Sequence, residues 1–288
     1  MKKFFKLLLT TVCMLMMIFH GAQVSDGAKD GIELCLRTVI PSLFPFFVIS
    51  SYINGQLSGL SIPFLNPVEK LCCMPGGSGS ILLLGLLGGY PVGAQCIAQQ
   101  RELGTLSKAD AQRLLGFCNN SGPAFIFGIL SSFFPSTQYI FLLWLVQILS
   151  AILTGMLLPG KAETSCSLET NSSFTAAKAI DRATKSIISV CAWVIVFRIL
   201  LAPFSHVPLL GGIIELTNGC LQLGNIHSLP YRFVTASVYL SFGGLCVHMQ
   251  TLSAIKDLSL KYYFCGKLLQ TAISLILSTV VVNVLQFV

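Results

Sequence analysis

The stretch GFCNNSGPAFIFG, residues 116–128, places asparagine, serine, glycine and proline side by side in an apolar run long enough to cross a bilayer. Gly122 and Pro123 cannot continue a helix, because proline lacks the amide proton and its ring clashes with the preceding turn. Lipid offers no hydrogen bonds, so non-helical backbone at membrane depth persists only inside protein or beside a watery cavity. The stretch therefore predicts a helix that is broken within the membrane and faces such a cavity.

Composition places the whole chain in the membrane. Of its 288 residues, 54% are hydrophobic and 10% are charged, against about a quarter charged in soluble domains, and the mean hydropathy is +0.79. A spanning helix needs about 20 apolar residues, whereas the alternating segments of about ten residues typical of a transmembrane β-barrel do not occur. We predict an all-α polytopic membrane protein with apolar segments at residues 4–24, 32–53, 80–98, 114–130, 139–158, 187–204, 233–252 and 268–288.

The positive charges sort to one side of the membrane if residues 80–99 form a re-entrant hairpin that enters and returns on the same side. With a cytoplasmic amino terminus, only Lys29, Arg37 and Arg232 then fall outside. The cytoplasmic side collects Lys2, Lys3, Lys6, Lys70, Arg101, Lys108, Arg113, Lys161, Lys178, Arg182, Lys185, Lys256, Lys261 and Lys267. This is the positive-inside pattern, so the formal charge of +7 needs no nucleic-acid partner.

A repeated order of segments supports that topology. In each half a plain helix is followed by a short glycine-rich segment (GLLGGYPVGAQ, GGIIELTNGCLQLG), a broken helix (FCNNSGPAFIFG, VYLSFGGLCVHMQ) and another plain helix. Three crossings per half make two inverted repeats, an arrangement that points to a transporter with a midplane site. We predict an N-terminal transmembrane helix (1–30), a first repeat (31–158), a cytoplasmic linker (159–175) and a second repeat (176–288). A cleaved signal peptide is the alternative for the first helix.

The polar residues of the two broken helices are candidates for a solute site. They are Asn119, Asn120 and Ser121 in the first and Ser241, Gly243 and Gly244 in the second. Half-helix amino termini carry partial positive charge and free N–H groups, which suits an anionic solute. The alternative is that asparagine and serine merely join helices and that the glycines allow close packing.

Glu215 is the sharpest single residue, because a carboxylate in an apolar segment is costly and marks function. It would couple a proton or cation, or accept a hydrogen bond from solute, with Thr217 and Asn218 beside it. The alternative is a static ion pair with Arg198, which could equally bind a solute carboxylate through two hydrogen bonds. An intramembrane enzyme would need Glu215 to meet His248. No nucleophile–base pair, phosphate loop or metal spacing occurs, so we predict no enzyme, no cofactor and no metal site.

Five motifs resemble one family. PSLFPFFVIS (41–50), GGYPVGA (88–94), FCNNSGPAFI (117–126), ELTNG (215–219) and SFGGLCVH (241–248) resemble the YlbJ-type sporulation integral membrane proteins, over about residues 5–285. That family carries nucleoside-recognition, or Gate, domains, which are distantly similar to concentrative nucleoside transporters and to the gate of the ferrous-iron transporter. In nucleoside transporters the hairpin tips and broken helices bind the solute. The resemblance thus implies a substrate site at Tyr90, Asn119, Asn120, Ser121, Glu215, Thr217, Asn218, Ser241 and Gly243, to which its mid-segment position adds Arg198. The first hairpin departs from those transporters in having no carboxylate.

The resemblance also implies a function. The chain would transport a small polar or anionic solute, dipicolinate, from mother cell towards forespore in a spore-forming bacterium. It would lie as a multi-pass protein in the cell membrane or in the mother-cell-derived outer forespore membrane. A nucleoside-type transporter and a non-transporting membrane scaffold in spore formation are the alternatives. The expected partners are the lipid bilayer, the solute and a coupling cation or proton, and a homo-oligomer stays open.

Overall fold

The computed structural model describes residues 2–57, 62–160, 174–202, 210–255 and 258–285. Within these ranges the chain is helical and contains no strand, which confirms the predicted all-α class. Most of the predicted cytoplasmic linker, residues 161–173, lies outside the described residues.

The helices follow one another with short connections. The first half contains α1 (Lys2–Phe19), α2 (Gly21–Leu34), α3 (Ile40–Gln56), α4 (Asn66–Leu71), α5 (Gly79–Gly88), α6 (Val92–Glu102), α7 (Lys108–Cys118), α8 (Pro123–Leu130) and α9 (Thr137–Leu157), with a π-helical turn, Cys35–Val39, between α2 and α3. The second half contains α10 (Ala176–Leu201), α11 (Leu210–Ile214), α12 (Leu216–Gln222), α13 (Leu229–Phe242), α14 (Gly244–Ala254) and α15 (Leu260–Leu285).

Five stretches of the described residues are long and apolar enough to cross a membrane. They are Gly21–Gln56, Lys108–Phe133, Thr137–Leu157, Ala176–Leu201 and Leu260–Leu285. A helix of about 20 residues spans the hydrocarbon core, so these stretches support a multi-pass helical membrane protein.

The chain continues as helix at residues 25–31, where the sequence predicts a connection between two apolar segments. Gly21–Gln56 is helical over 36 residues. A Cβ on Gly27 would lie 2.9 Å from the Cβ of Ala202, and one on Gly31 would lie 3.0 Å from the Cα of Ile195. Because these small residues let α2 and α10 approach closely, helix packing overrides the local turn signal. The domain boundary drawn after residue 30 consequently lies inside α2.

The first helical hairpin, α5–α6, is shaped to receive the end of α7. Residues 89–91 form its turn. A Cβ on Gly85 would lie 1.8 Å from the carbonyl oxygen of Cys118, and one on Gly93 would lie 1.9 Å from the same oxygen. Only glycine permits this contact at both positions, so the two glycines fix where α7 ends against the hairpin.

The second hairpin, α11–α12, has a comparable glycine face. A Cβ on Gly212 would lie 2.4 Å from the ring of Tyr239 in α13, and one on Gly219 would lie 2.1 Å from the Cα of Gly212. Glu215 stands between the two helices of this hairpin. In both halves, therefore, a glycine-faced hairpin packs on the first part of a broken helix.

Both helices that the sequence predicts to be broken are broken. α7 ends at Cys118, Asn119 and Gly122 have extended backbone, and α8 begins at Pro123. The second break is a left-handed turn in which Gly243 has φ +85° and Gly244 has φ +77°. Such φ values suit glycine, which has no Cβ to clash.

The last helix positions the polar interior. α15 packs against α7, α9 and α13, while α10 packs against α2 and α3. A Cβ on Gly266 would lie 2.3 Å from the carbonyl oxygen of Gly116, so α15 and α7 touch backbone to backbone. This contact brings the residues after Gly266 to the first break.

Candidate functional site

A cavity of about 180 Å³ opens between the turns of the two hairpins and the first break. We call it the tip cavity. Four predicted site residues line it: Tyr90, Ser121, Glu215 and Thr217. Its remaining walls come from α2, the π-helical turn, α3, α8, α10 and α14 and are mostly apolar. Concave, largely apolar sites with a few convergent polar groups are typical of small-molecule binding.

Tyr90 joins the first hairpin to the second break. Its hydroxyl lies 3.2 Å from the carbonyl oxygens of Leu240 and Ser241, to which it donates. It also accepts a hydrogen bond from the Lys267 ammonium at 3.1 Å. Gly243 packs on the ring, since a Cβ there would lie 3.2 Å from Cζ. The tip of the first hairpin is therefore held by groups from the opposite half of the chain.

Asn119 and Asn120 are fully buried but turn away from the tip cavity. The Asn119 amide donates to Thr251 Oγ1 at 2.9 Å. The Asn120 amide donates to the carbonyl of Phe117 at 2.7 Å, and its oxygen accepts from Gln270 at 2.8 Å. In this structure both side chains tie the first break to α14 and α15, and their contact with solute stays a prediction.

The serines at the two breaks donate to backbone carbonyls of α13. Ser121 lines the tip cavity and donates to the carbonyl of Leu240 at 2.9 Å. Ser241 is buried and donates to the carbonyl of Ser237 at 2.9 Å. Ser121 therefore lines the tip cavity and also makes a structural hydrogen bond, whereas Ser241 makes structural hydrogen bonds and does not line the cavity.

Glu215 caps α12 and faces the tip cavity. Its carboxylate accepts from the backbone N–H of Thr217 at 2.9 Å and of Asn218 at 2.7 Å. Arg198 Nε lies 3.9 Å from Glu215 Oε2, too far for a hydrogen bond. The cap, more than the loose ion pair, thus fixes the carboxylate, and two N–H groups with a nearby guanidinium compensate its charge. Thr217 lines the cavity, whereas Asn218 and Arg198 do not.

The charge pattern predicts Lys267 on the cytoplasmic side, but its side chain is fully buried, at the eighth residue of the long apolar helix α15. Its ammonium donates to Tyr90 Oη, the backbone oxygen of Asn119 and Gln270 Oε1. A buried charged side chain without partners is costly, so these hydrogen bonds are what make its burial tolerable. The only sequence signal was a lysine and a glutamine three residues apart in an apolar helix.

A second cavity, of about 200 Å³, lies between α3, α6, α10 and α14. We call it the charged cavity, because Glu102, Arg182 and Lys185 line it. Arg182 Nη2 lies 2.6 Å from Glu102 Oε2. Val190 and Gln250 line both cavities. The turn of the first hairpin lies between the two, with Tyr90 on the side of the tip cavity and Pro91 on the side of the charged cavity.

Catalysis by histidine, metal binding and thiol chemistry have weaker support among the described residues than solute binding in the tip cavity. His248 Nδ1 lies 2.8 Å from Tyr263 Oη, and its ring packs between aromatic rings, which makes it a core residue. No group of three metal-binding side chains occurs in the part of the chain that the structure describes. Cys72, which lies outside the candidate spans, is a free thiol whose pKa is raised by burial. Cys73, beside it, is a free, exposed thiol.

Fold and site together define a multi-pass helical membrane protein with two broken helices and two hairpin turns around an internal cavity. The chain is similar to the sporulation integral membrane protein YlbJ of Bacillus subtilis (strain 168), with 25% identity over an alignment of 327 residues that covers 93% of this chain and 78% of that protein. This similarity confirms the YlbJ-type resemblance predicted from the motifs. No family model matches the chain, and no solved structure matches it. The similarity to nucleoside transporters stays a prediction.

Proposed function

We propose that the protein transports a small anionic solute through the tip cavity by alternating access. One observation carries the proposal: Tyr90, Ser121, Glu215 and Thr217, which come from both hairpin turns and the first break, line one cavity. Residues so far apart in sequence converge there only because the two halves interlock. Polar groups at the midplane between broken helices are typical of transporter sites.

The repeat and its inversion belong to the same proposal. Three kinds of element recur in the same order in both halves: the glycine-faced hairpin, the broken helix and the plain closing helix. We interpret α5–α6 and α11–α12 as re-entrant hairpins and the halves as inverted. In that arrangement the hairpin turns approach the midplane from opposite sides.

The position of the two cavities suggests how access would alternate. The charged cavity and the tip cavity share Val190 and Gln250, and the turn of the first hairpin separates them. A shift of that hairpin would open the tip cavity towards the charged cavity. Arg182 and Lys185 belong to the cytoplasmic set of basic residues, so we place the charged cavity on the cytoplasmic side.

Charge favours an anionic solute. The first turn of α8, at Ala124 and Phe125, lines the tip cavity, and helix amino termini attract negative charge. The charge of Glu215 is already compensated by its cap and by Arg198. Dipicolinate, which the resemblance implies, is therefore the first cargo to test, with the forespore membrane as the proposed location.

The test is uptake of radiolabelled dipicolinate into liposomes that contain the purified protein, with uridine assayed in parallel. We expect dipicolinate uptake that is lost in Glu215→Gln, while that variant keeps the wild-type abundance and stays folded, with a melting temperature lowered only by its weaker cap on α12. Uridine uptake without dipicolinate uptake would replace the proposed cargo by a nucleoside.

A non-transporting scaffold is the competing function. It would need the polar breaks only for packing. In that case neither solute would enter liposomes that contain the folded, correctly inserted wild-type protein.

A further inference from the structure

The Lys267 ammonium lies in a cage of oxygen atoms. It donates to Gln270 Oε1 at 2.7 Å, to Tyr90 Oη at 3.1 Å and to the backbone oxygen of Asn119. The centroid of the Tyr90 ring is 5.0 Å from the same nitrogen. The side chain is fully buried, so these groups replace its water.

The oxygen atoms come from separate parts of the fold. Tyr90 belongs to the first hairpin turn, Asn119 to the first break, and Gln270 to α15 itself. Gln270 also donates to Asn120 Oδ1 at 2.8 Å. The ammonium therefore holds a hairpin, a break and a plain helix together at one point.

The cage lacks a carboxylate. The ion pairs found among the described residues all join other side chains, and its three hydrogen-bond acceptors are neutral. Partial negative charge comes instead from the carboxyl end of α7, where the Asn119 carbonyl is freed by the break. Neutral oxygens that replace a hydration shell are the usual environment of a bound monovalent cation.

We propose that Lys267 is a tethered monovalent cation, and that the oxygens of Tyr90, Asn119 and Gln270 form a cation site that the ammonium fills. The site would accept Na⁺, K⁺ or a small alkylammonium ion once the lysine side chain is removed. If the protein transports a solute as proposed, the wild-type chain needs no dissociable cation in this site, because the ammonium already occupies it. Uptake is then independent of Na⁺. This last consequence rests on the proposed function, whereas the cation site does not.

The test measures melting temperature, which requires no transport. Lys267→Ala is purified in detergent and heated in NaCl, KCl or methylammonium chloride, each compared with choline chloride at equal ionic strength. A ligand at 100 times its dissociation constant stabilises enough to raise the melting temperature by about 5–11 °C. We expect a rise of that size in Lys267→Ala with at least one small cation.

Two controls separate the site from general salt effects. Lys267→Met removes the charge but fills the space, and Lys261→Ala removes an exposed lysine from the same helix. Neither should respond to the choice of cation. Equal melting temperatures of Lys267→Ala in all four salts would overturn the proposal.

The wild-type protein supplies an independent measurement should Lys267→Ala fail to fold in every salt. Its melting temperature should be the same in NaCl, KCl and choline chloride, and stabilisation by Na⁺ or K⁺ would overturn the proposal. Where uptake is detected, equal rates in Na⁺ and choline support a tethered cation, and a requirement for Na⁺ contradicts it. Absence of any uptake counts against the proposed function alone.

Discussion

Substitution of Gly93 by alanine tests the contact that joins the first hairpin to the first break. The carbonyl oxygen of Cys118 lies in the groove formed by Gly85 and Gly93. An ideal Cβ at residue 93 would lie 1.9 Å from this oxygen, whereas real Cβ contacts essentially never fall under 3.0 Å. The two backbones must therefore separate by about 1.1 Å.

The energetic cost follows from what can move. Insertion of a methyl group into a packed interior costs about 1–3 kcal/mol. Both partners here are backbone, so no side chain can rotate away, and we expect about 3 kcal/mol. The higher helix propensity of alanine relative to glycine offsets at most about 1 kcal/mol of this cost. Since about 2–4 °C of melting temperature corresponds to 1 kcal/mol, the expected fall is about 4–12 °C.

The assay is thermal unfolding of the detergent-purified protein, followed by tryptophan fluorescence. Gly76→Ala is the matched control, because nothing lies within 4 Å of a Cβ at that position, and it should melt with the wild type. If Gly93→Ala also melts at the wild-type temperature, the hairpin does not press against the break, and the architecture of the site is wrong.

Three further substitutions probe neighbouring contacts. Tyr90→Phe removes the hydroxyl that joins the hairpin turn to the second break, so the melting temperature should fall by about 2–6 °C; no change would contradict that link. Arg113→Met leaves four backbone carbonyls without their donor, and its loss of stability should exceed that of Tyr90→Phe in the same assay. A double-mutant cycle on Glu102 and Arg182 should give at most about 1 kcal/mol of coupling, because both side chains are partly exposed. A larger coupling energy would contradict an ion pair that is screened by solvent.

The breaks and hairpin turns could be predicted from sequence because their signals are local. Gly122 and Pro123 interrupt any helix, and the paired glycines Gly243 and Gly244 favour a left-handed turn. Glu215 was identifiable for a similar reason, since a carboxylate is conspicuous in an apolar segment. These features depend on the residues themselves and not on which helix packs beside them.

The contents of the interior could not be predicted in the same way. Lys267 is typical of a membrane-surface anchor by sequence, and only the approach of α15 to α7 at Gly266 carries it inside. The side chains of Asn119 and Asn120 turn towards α14 and α15, whose positions no local pattern specifies. Tertiary packing likewise decides that Gly27 lies within a helix.

The most direct test of transport through the tip cavity is to fill it. Gly128 is exposed and lines the cavity, and nothing lies within 4 Å of a Cβ built there, so a large side chain is accommodated at the cavity wall without displacing backbone. We predict that Gly128→Phe abolishes dipicolinate uptake into liposomes at an unchanged melting temperature, whereas Gly128→Ala retains it. Wild-type uptake by a folded Gly128→Phe protein would contradict passage through this cavity.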